Sequence, residues 1–172
     1  MLDNSGLWDD LPDSERHRRK EAVAIGGWPF DGLEHREFFV DGEDLAEYGV
    51  EDFLASIDAP LKARGVELLC VRRAGDPTSE DAHAVDINGT AVQVWNGIDD
   101  PLMWLAATTR PIAVVNQLLA AAGSKDRMLV LYAGGNEGIG YFAPSAVAAA
   151  IRESELFPEK EWPLVPGENG EG

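Results

Sequence analysis

Apolar residues recur at helical spacing through Val50, Phe53, Leu54, Ile57 and Leu61, with polar residues between them. One buried stripe of this kind predicts a helix over "VEDFLASIDAPLKAR". Pro60 lacks an amide hydrogen, so a kink or restart is expected there, and Gly65 suits the stop. A second stripe, Ile112, Val115, Leu119 and Ala122, extends back to Leu105 and Leu102. Asp100 as cap and Pro101 at the first turn open that helix, Gly123 ends it, and Pro111 predicts a kink or two shorter helices. Further helices are expected from Asp13 or Ser14 through "ERHRRKEAVAIGG" and, after Pro144, over "SAVAAAIRESELF".

Other stretches read as strands. "REFFV" is aromatic and β-branched and is closed by Asp41-Gly42. "VELLCVR" is a continuous apolar run, which predicts a central strand. "HAVDINGTAVQVWN" carries Asn88-Gly89, suited to a two-residue turn that needs positive φ twice. That turn pairs Ile87 with Thr90, Val85 with Val92 and His83 with Val94. "DRMLVLYAGGNEGIGYFAP" holds Gly134, Gly135, Gly138 and Gly140 between two apolar runs. A phosphate loop would need a helix after the glycines. Here "IGYFAP" follows, no Lys-Ser or Lys-Thr does, and the spacing misses GxGxxG, so the reading is a hairpin with Asn136 and Glu137 at its tip.

The order of elements predicts an α+β protein: a single mixed, mainly antiparallel sheet of about five or six strands with helices packed on it. Residues 1–172 are expected to form one domain, with 1–12 as a loose N-terminal arm and 163–172 as a disordered tail.

The net charge is −17, from 31 acidic and 14 basic residues. Such a field disfavours nucleic acid and anionic membrane surfaces and favours a basic protein partner. The N-terminus does not read as a signal peptide and no run is long enough to span a bilayer, so the expected compartment is the cytoplasm. The single cysteine, Cys70, lies in an apolar run and is expected to be a buried structural thiol. Charge is also patterned: between Arg36 and Lys62 there is no Lys or Arg. That interval holds Asp41, Glu43, Asp44, Glu47, Glu51 and Asp52, the expected partner-binding residues, with Asn136 and Glu137 as additional candidates on the hairpin tip.

Catalytic signatures are lacking. There is no GxSxG elbow, no Cys-His signature, no twelve-residue calcium loop and no zinc-ligand spacing. His17, His35 and His83 stand in unrelated contexts, and the tryptophans Trp8, Trp28, Trp95, Trp104 and Trp162 read as core or rim residues. No catalytic residue, metal or cofactor is therefore expected. The basic run Arg16–Lys20 is flanked by acids and reads as a salt-bridged helix face.

At "FFVDGEDLAEYGVEDFLASI…ARGVELL" and "VVNQLLAAAGSKDRMLVLYAGGNEGIGYFAP" the chain resembles a group of small acidic bacterial proteins similar to the immunity proteins of toxin systems. The resemblance covers roughly residues 36 to 156 and brings no catalytic residues. It implies a non-catalytic cytoplasmic protein that neutralises a toxin by occluding a basic site with an acidic face. Two other readings fit the same residues: a metal-assisted hydrolase using the Asp41–Asp52 carboxylates, and a structural or adaptor subunit that forms a homodimer.

Overall fold

The structure, a computed structural model, describes residues 2, 5–33, 36–73, 83–95 and 100–168. His35, the loop read after Arg73 and the tail from 169 onward lie outside the described residues. In chain order the elements are α1 (Asp13–Ala24), β1 (Glu37–Phe39), α2 (Gly42–Asp44), α3 (Val50–Ser56), α4 (Asp58–Lys62), β2 (Cys70–Arg72), β3 (His83–Ile87), β4 (Thr90–Trp95), α5 (Met103–Ala121), β5 (Asp126–Leu131), β6 (Ile139–Pro144) and α6 (Ala146–Glu153). The α+β class holds. The strands form two separate three-stranded antiparallel sheets, β1-β6-β5 and β2-β3-β4, and not the single sheet expected from the sequence.

The first sheet is buried on both faces, and strand parity decides which residue serves which core. Met128, Val130 and Phe142 point to one side, where Leu54, Ile57, Ile112, Val115, Leu119, Val85 and Ile87 meet them. Leu129, Leu131, Tyr141 and Ala143 point to the other, against Leu7, Trp8, Phe30, Val147 and Ile151. The second sheet packs on the first core through alternate residues of β3 and β4, while Leu69 (67% exposed) and Val71 (54%) face outward. "VELLCVR" therefore supplies an edge strand and not a central one. An apolar run by itself does not say how many of its faces are covered.

Both hairpins form. Asn88 (φ 50°) and Gly89 (φ 83°) make the tight turn of β3–β4, with Ile87 opposite Thr90 and Val85 opposite Val92. His83 pairs with Trp95 rather than Val94, because the register shifts by a bulge between His83 and Ala84. The Asn88 side chain also closes on the approach to β2, accepting from Leu69 N at 2.7 Å and donating to Glu67 O at 2.8 Å. The helix at Val50 breaks at Ile57 and restarts as α4, which places Pro60 in a first turn where its missing amide costs little. α5 runs through Pro111 as one helix of 19 residues and not as two shorter ones.

The described parts of the two terminal segments, residues 5–12 and 163–168, make packing contacts. Leu7 and Trp8 are buried, Arg36 donates to Leu7 O at 2.8 Å and Trp8 Nε1 to Pro29 O at 3.2 Å. At the other end Leu164 exchanges both backbone bonds with Val130, at 2.9 and 2.8 Å. Anchoring side chains, not the polar composition around them, decide the matter in both segments.

The buried amide of Asn116, on α5, completes the outer edge of β5. Its Oδ1 accepts from Met128 N at 2.7 Å, and its Nδ2 donates to Met128 O at 3.1 Å and to Pro166 O at 3.0 Å. One side chain thus substitutes for a neighbouring strand and ties helix, sheet and C-terminal segment together. Asn116→Ala leaves three buried backbone groups unpaired, and we expect a loss of about 2–4 kcal/mol from the cost of stranded donors and acceptors. Urea denaturation would measure it; a loss within error of zero would show that water replaces the amide.

Candidate functional site

The acidic link between β1 and α3 is held from both sheets. Val40 N donates to Gly138 O at 2.8 Å and Gly42 N to Gly135 O at 3.0 Å, so the β5–β6 hairpin loop grips its start. Contact there is too close for a side chain: a Cβ on Gly138 would lie 2.0 Å from Val40 O. From the second sheet, Trp95 Nε1 donates to Ala46 O at 3.0 Å. Asp41 Oδ1 caps the first turn, accepting from Glu43 N at 2.8 Å and Asp44 N at 3.1 Å. A wide turn over Leu45–Gly49 then leads into α3, with Tyr48 in the left-handed region at φ 75°. A non-glycine residue there carries strain of order 1 kcal/mol.

These constraints open a cleft of about 420 Å³. Asp41, Asp44, Glu47 and Asp52 line it together, and no basic residue does among the described residues. Its apolar surfaces are Leu45 and Phe53, both buried, and two exposed aromatics, Phe39 (64% exposed) and Tyr48 (46%). The remaining expected residues sit elsewhere. Glu43 turns to the hairpin, where its Oε2 accepts from Asn136 Nδ2 at 2.9 Å. Glu137 is exposed at the tip. Glu51 Oε1 accepts from Arg72 Nε at 2.6 Å, so its charge is neutralised locally.

Behind Tyr48 lies a cluster that sequence reasoning missed as a unit. The Tyr48 ring lies 4.7 Å from the His83 ring, and the Arg72 guanidinium sits over its centroid at 5.1 Å. Arg72 Nη2 also donates to Tyr48 O at 3.1 Å, which fixes the strained residue. His83 is 2% exposed, and both of its ring nitrogens, like Glu51 Oε2, find no hydrogen-bond partner among the described residues. Burial pushes the His83 pKa down; the Glu51 carboxylate opposes this and Arg72 adds to it. For Glu51, burial acts upward, but the bond from Arg72 and a backbone hydrogen bond outweigh it and hold the carboxyl below its ordinary value. Burial, with Glu51 and Asp86 adding, pushes the Cys70 thiol up to about 11, so the thiolate is scarce at neutral pH. Tyr48 and Phe39 were legible only as aromatic residues. The break in helical phase before Val50 was the one signal of a bend at "EYG".

Among the described residues no group of three His, Cys, Asp or Glu side chains could hold a metal ion, and no helix is long and apolar enough to cross a membrane. Trp8 and Trp95 are buried, and Trp28, Trp104 and Trp162 are half-buried. The fold is that of an α+β protein with two three-stranded antiparallel sheets and an acidic cleft lined by β1, the link after it and α3. The chain matches no protein-family model, no curated protein and no solved structure.

The depressed His83 pKa has a definite consequence for stability. The unfolded chain takes up a proton near pH 6.5 that the folded chain refuses until a lower pH. The stability that this neutral imidazole contributes is therefore present above about pH 6.5 and lost as pH falls through the folded value. The Glu51 contribution is lost only further down, below the ordinary Glu range. Between pH 7 and pH 5, wild type is expected to lose more stability than His83→Phe, by about 1.4 kcal/mol for each unit of depression. Parallel pH dependence of the urea midpoints in the two proteins would contradict this.

Proposed function

We propose that this chain is a non-catalytic cytoplasmic binding protein that presents the Asp41–Asp52 cleft to a basic protein, most concretely as an immunity protein occluding the cationic site of a bacterial toxin. The observation that carries this reading is the convergence of Asp41, Asp44, Glu47 and Asp52 on one cleft whose described lining includes no basic residue, Arg72 behind Tyr48 being paired with Glu51. Carboxylates on a shared concave surface repel one another, and an incoming guanidinium or ammonium relieves that repulsion. Phe39 supplies an exposed aromatic face on which such a cation stacks, whereas the Tyr48 ring, though partly exposed, is already covered by Arg72. Complementary fields speed encounter and set orientation, while the aromatic contacts slow dissociation. Asn136 and Glu137 lie beside the acidic link and extend the surface; Glu51 supports Tyr48 through Arg72 and contributes little free charge.

The test is co-expression with a basic toxin domain encoded beside this chain in its host. The wild type is expected to restore growth. The double variant Asp44→Lys, Glu47→Lys is expected to fold normally by circular dichroism and to bind that domain about tenfold or more weakly at low salt, with the difference shrinking as salt rises. Absence of such a neighbouring reading frame, or equal affinity of the double variant across salt concentrations, would remove the proposal.

A further inference from the structure

A second cavity, sharing no residue with the acidic cleft, lies between the start of α5 and the C-terminal segment. Its volume is about 410 Å³, within the range of small-ligand sites. Leu102, Leu105, Ala106 and Thr109, spaced by three and four residues, form the helical wall, and Leu164 to Gly167 form the other. The Asn116 and Leu164 bonds that hold the C-terminal segment on α5 and β5 thereby create this space.

Its polar groups are few. Arg110 Nη1 donates to Gln93 O at 3.1 Å. Arg36, Arg64, Arg72 and Arg127 each pair with a carboxylate, but Arg110 pairs with none among the described residues. In a chain with 31 acidic residues and 14 basic ones, a guanidinium left unpaired beside an apolar cavity is a ready anion receptor. Asp100 also lines the cavity; its Oδ1 accepts from Leu102 N at 2.9 Å. Thr109 Oγ1 donates to Leu105 O at 2.8 Å, so its hydroxyl proton is already committed. Among the described lining residues Arg110 is the one cation and Asp100 the one anion, so a dianion such as phosphate is opposed more strongly than a monocarboxylate, and an uncharged ligand gives Arg110 no anionic partner.

We propose that this cavity binds a small amphipathic carboxylate, with its head group on Arg110 and its apolar body between Leu105, Ala106 and Leu164. The Asp100 carboxylate repels a head group placed beside it, which favours the Arg110 placement. The assignment is independent of the toxin-binding reading, because it uses different residues and the opposite charge.

The full chain is titrated calorimetrically with decanoate, decanol and inorganic phosphate, each below its aggregation limit, and amide shifts are mapped by NMR. Decanoate is expected to bind saturably and to shift amides of residues 102–110 and 164–167, while phosphate does not bind. Arg110→Gln is expected to weaken decanoate by about tenfold or more and to leave decanol within about twofold, as for loss of one charge-assisted pair. No saturable decanoate binding, equal weakening of decanoate and decanol, or shifts confined to other parts of the molecule would each overturn the proposal. Saturable phosphate binding in the same cavity would overturn the carboxylate assignment.

Discussion

A sheet edge cannot be left half-finished inside a protein, and the outer edge of β5 is where this fold meets that demand. Met128 and Val130 present backbone groups on that side. One is satisfied by the Asn116 amide and the other by Leu164. Because buried backbone groups that lack partners are costly, these bonds fix the height of α5 against the sheet and the path of the C-terminal segment at once. The two cores follow from the same strand, since its alternate residues supply both.

The acidic cleft inherits its shape from this frame. The hairpin that β5 and β6 form carries the loop that grips Val40 and Gly42, and the second sheet reaches the link through Trp95. A turn pinned at both ends can hold carboxylates close together despite their repulsion, whereas a free loop would spread them. The strained Tyr48 belongs to the same account: Arg72 binds its carbonyl and covers its ring, so a conformation the residue resists on its own is maintained by its neighbours.

Electrostatics divides the expected binding residues into two kinds. Asp41, Asp44, Glu47 and Asp52 line the cleft, and none of the four makes an ion pair among the described residues, although Asp41 Oδ1 caps the first turn. Glu43 and Glu51 are engaged within the protein, by Asn136 and Arg72. The chain's large negative charge is therefore partly engaged within the protein and partly gathered on the cleft.

The sequence by itself determined the local elements. Helical stripes, Asn88-Gly89 and the glycine-rich turn each encode a structure within a few neighbouring residues, and all of these formed. It also located the acidic interval, because charge sign is a property of the chain. Whether strands joined one sheet or two, whether "VELLCVR" had one covered face or both, and whether the termini were anchored depended on contacts between residues far apart in sequence. The pairing of Val130 with Leu164, the amide of Asn116 on Met128 and the placing of Tyr48 over His83 are of that kind. No local pattern carries them, because each is decided by which distant surface arrives to satisfy a buried group.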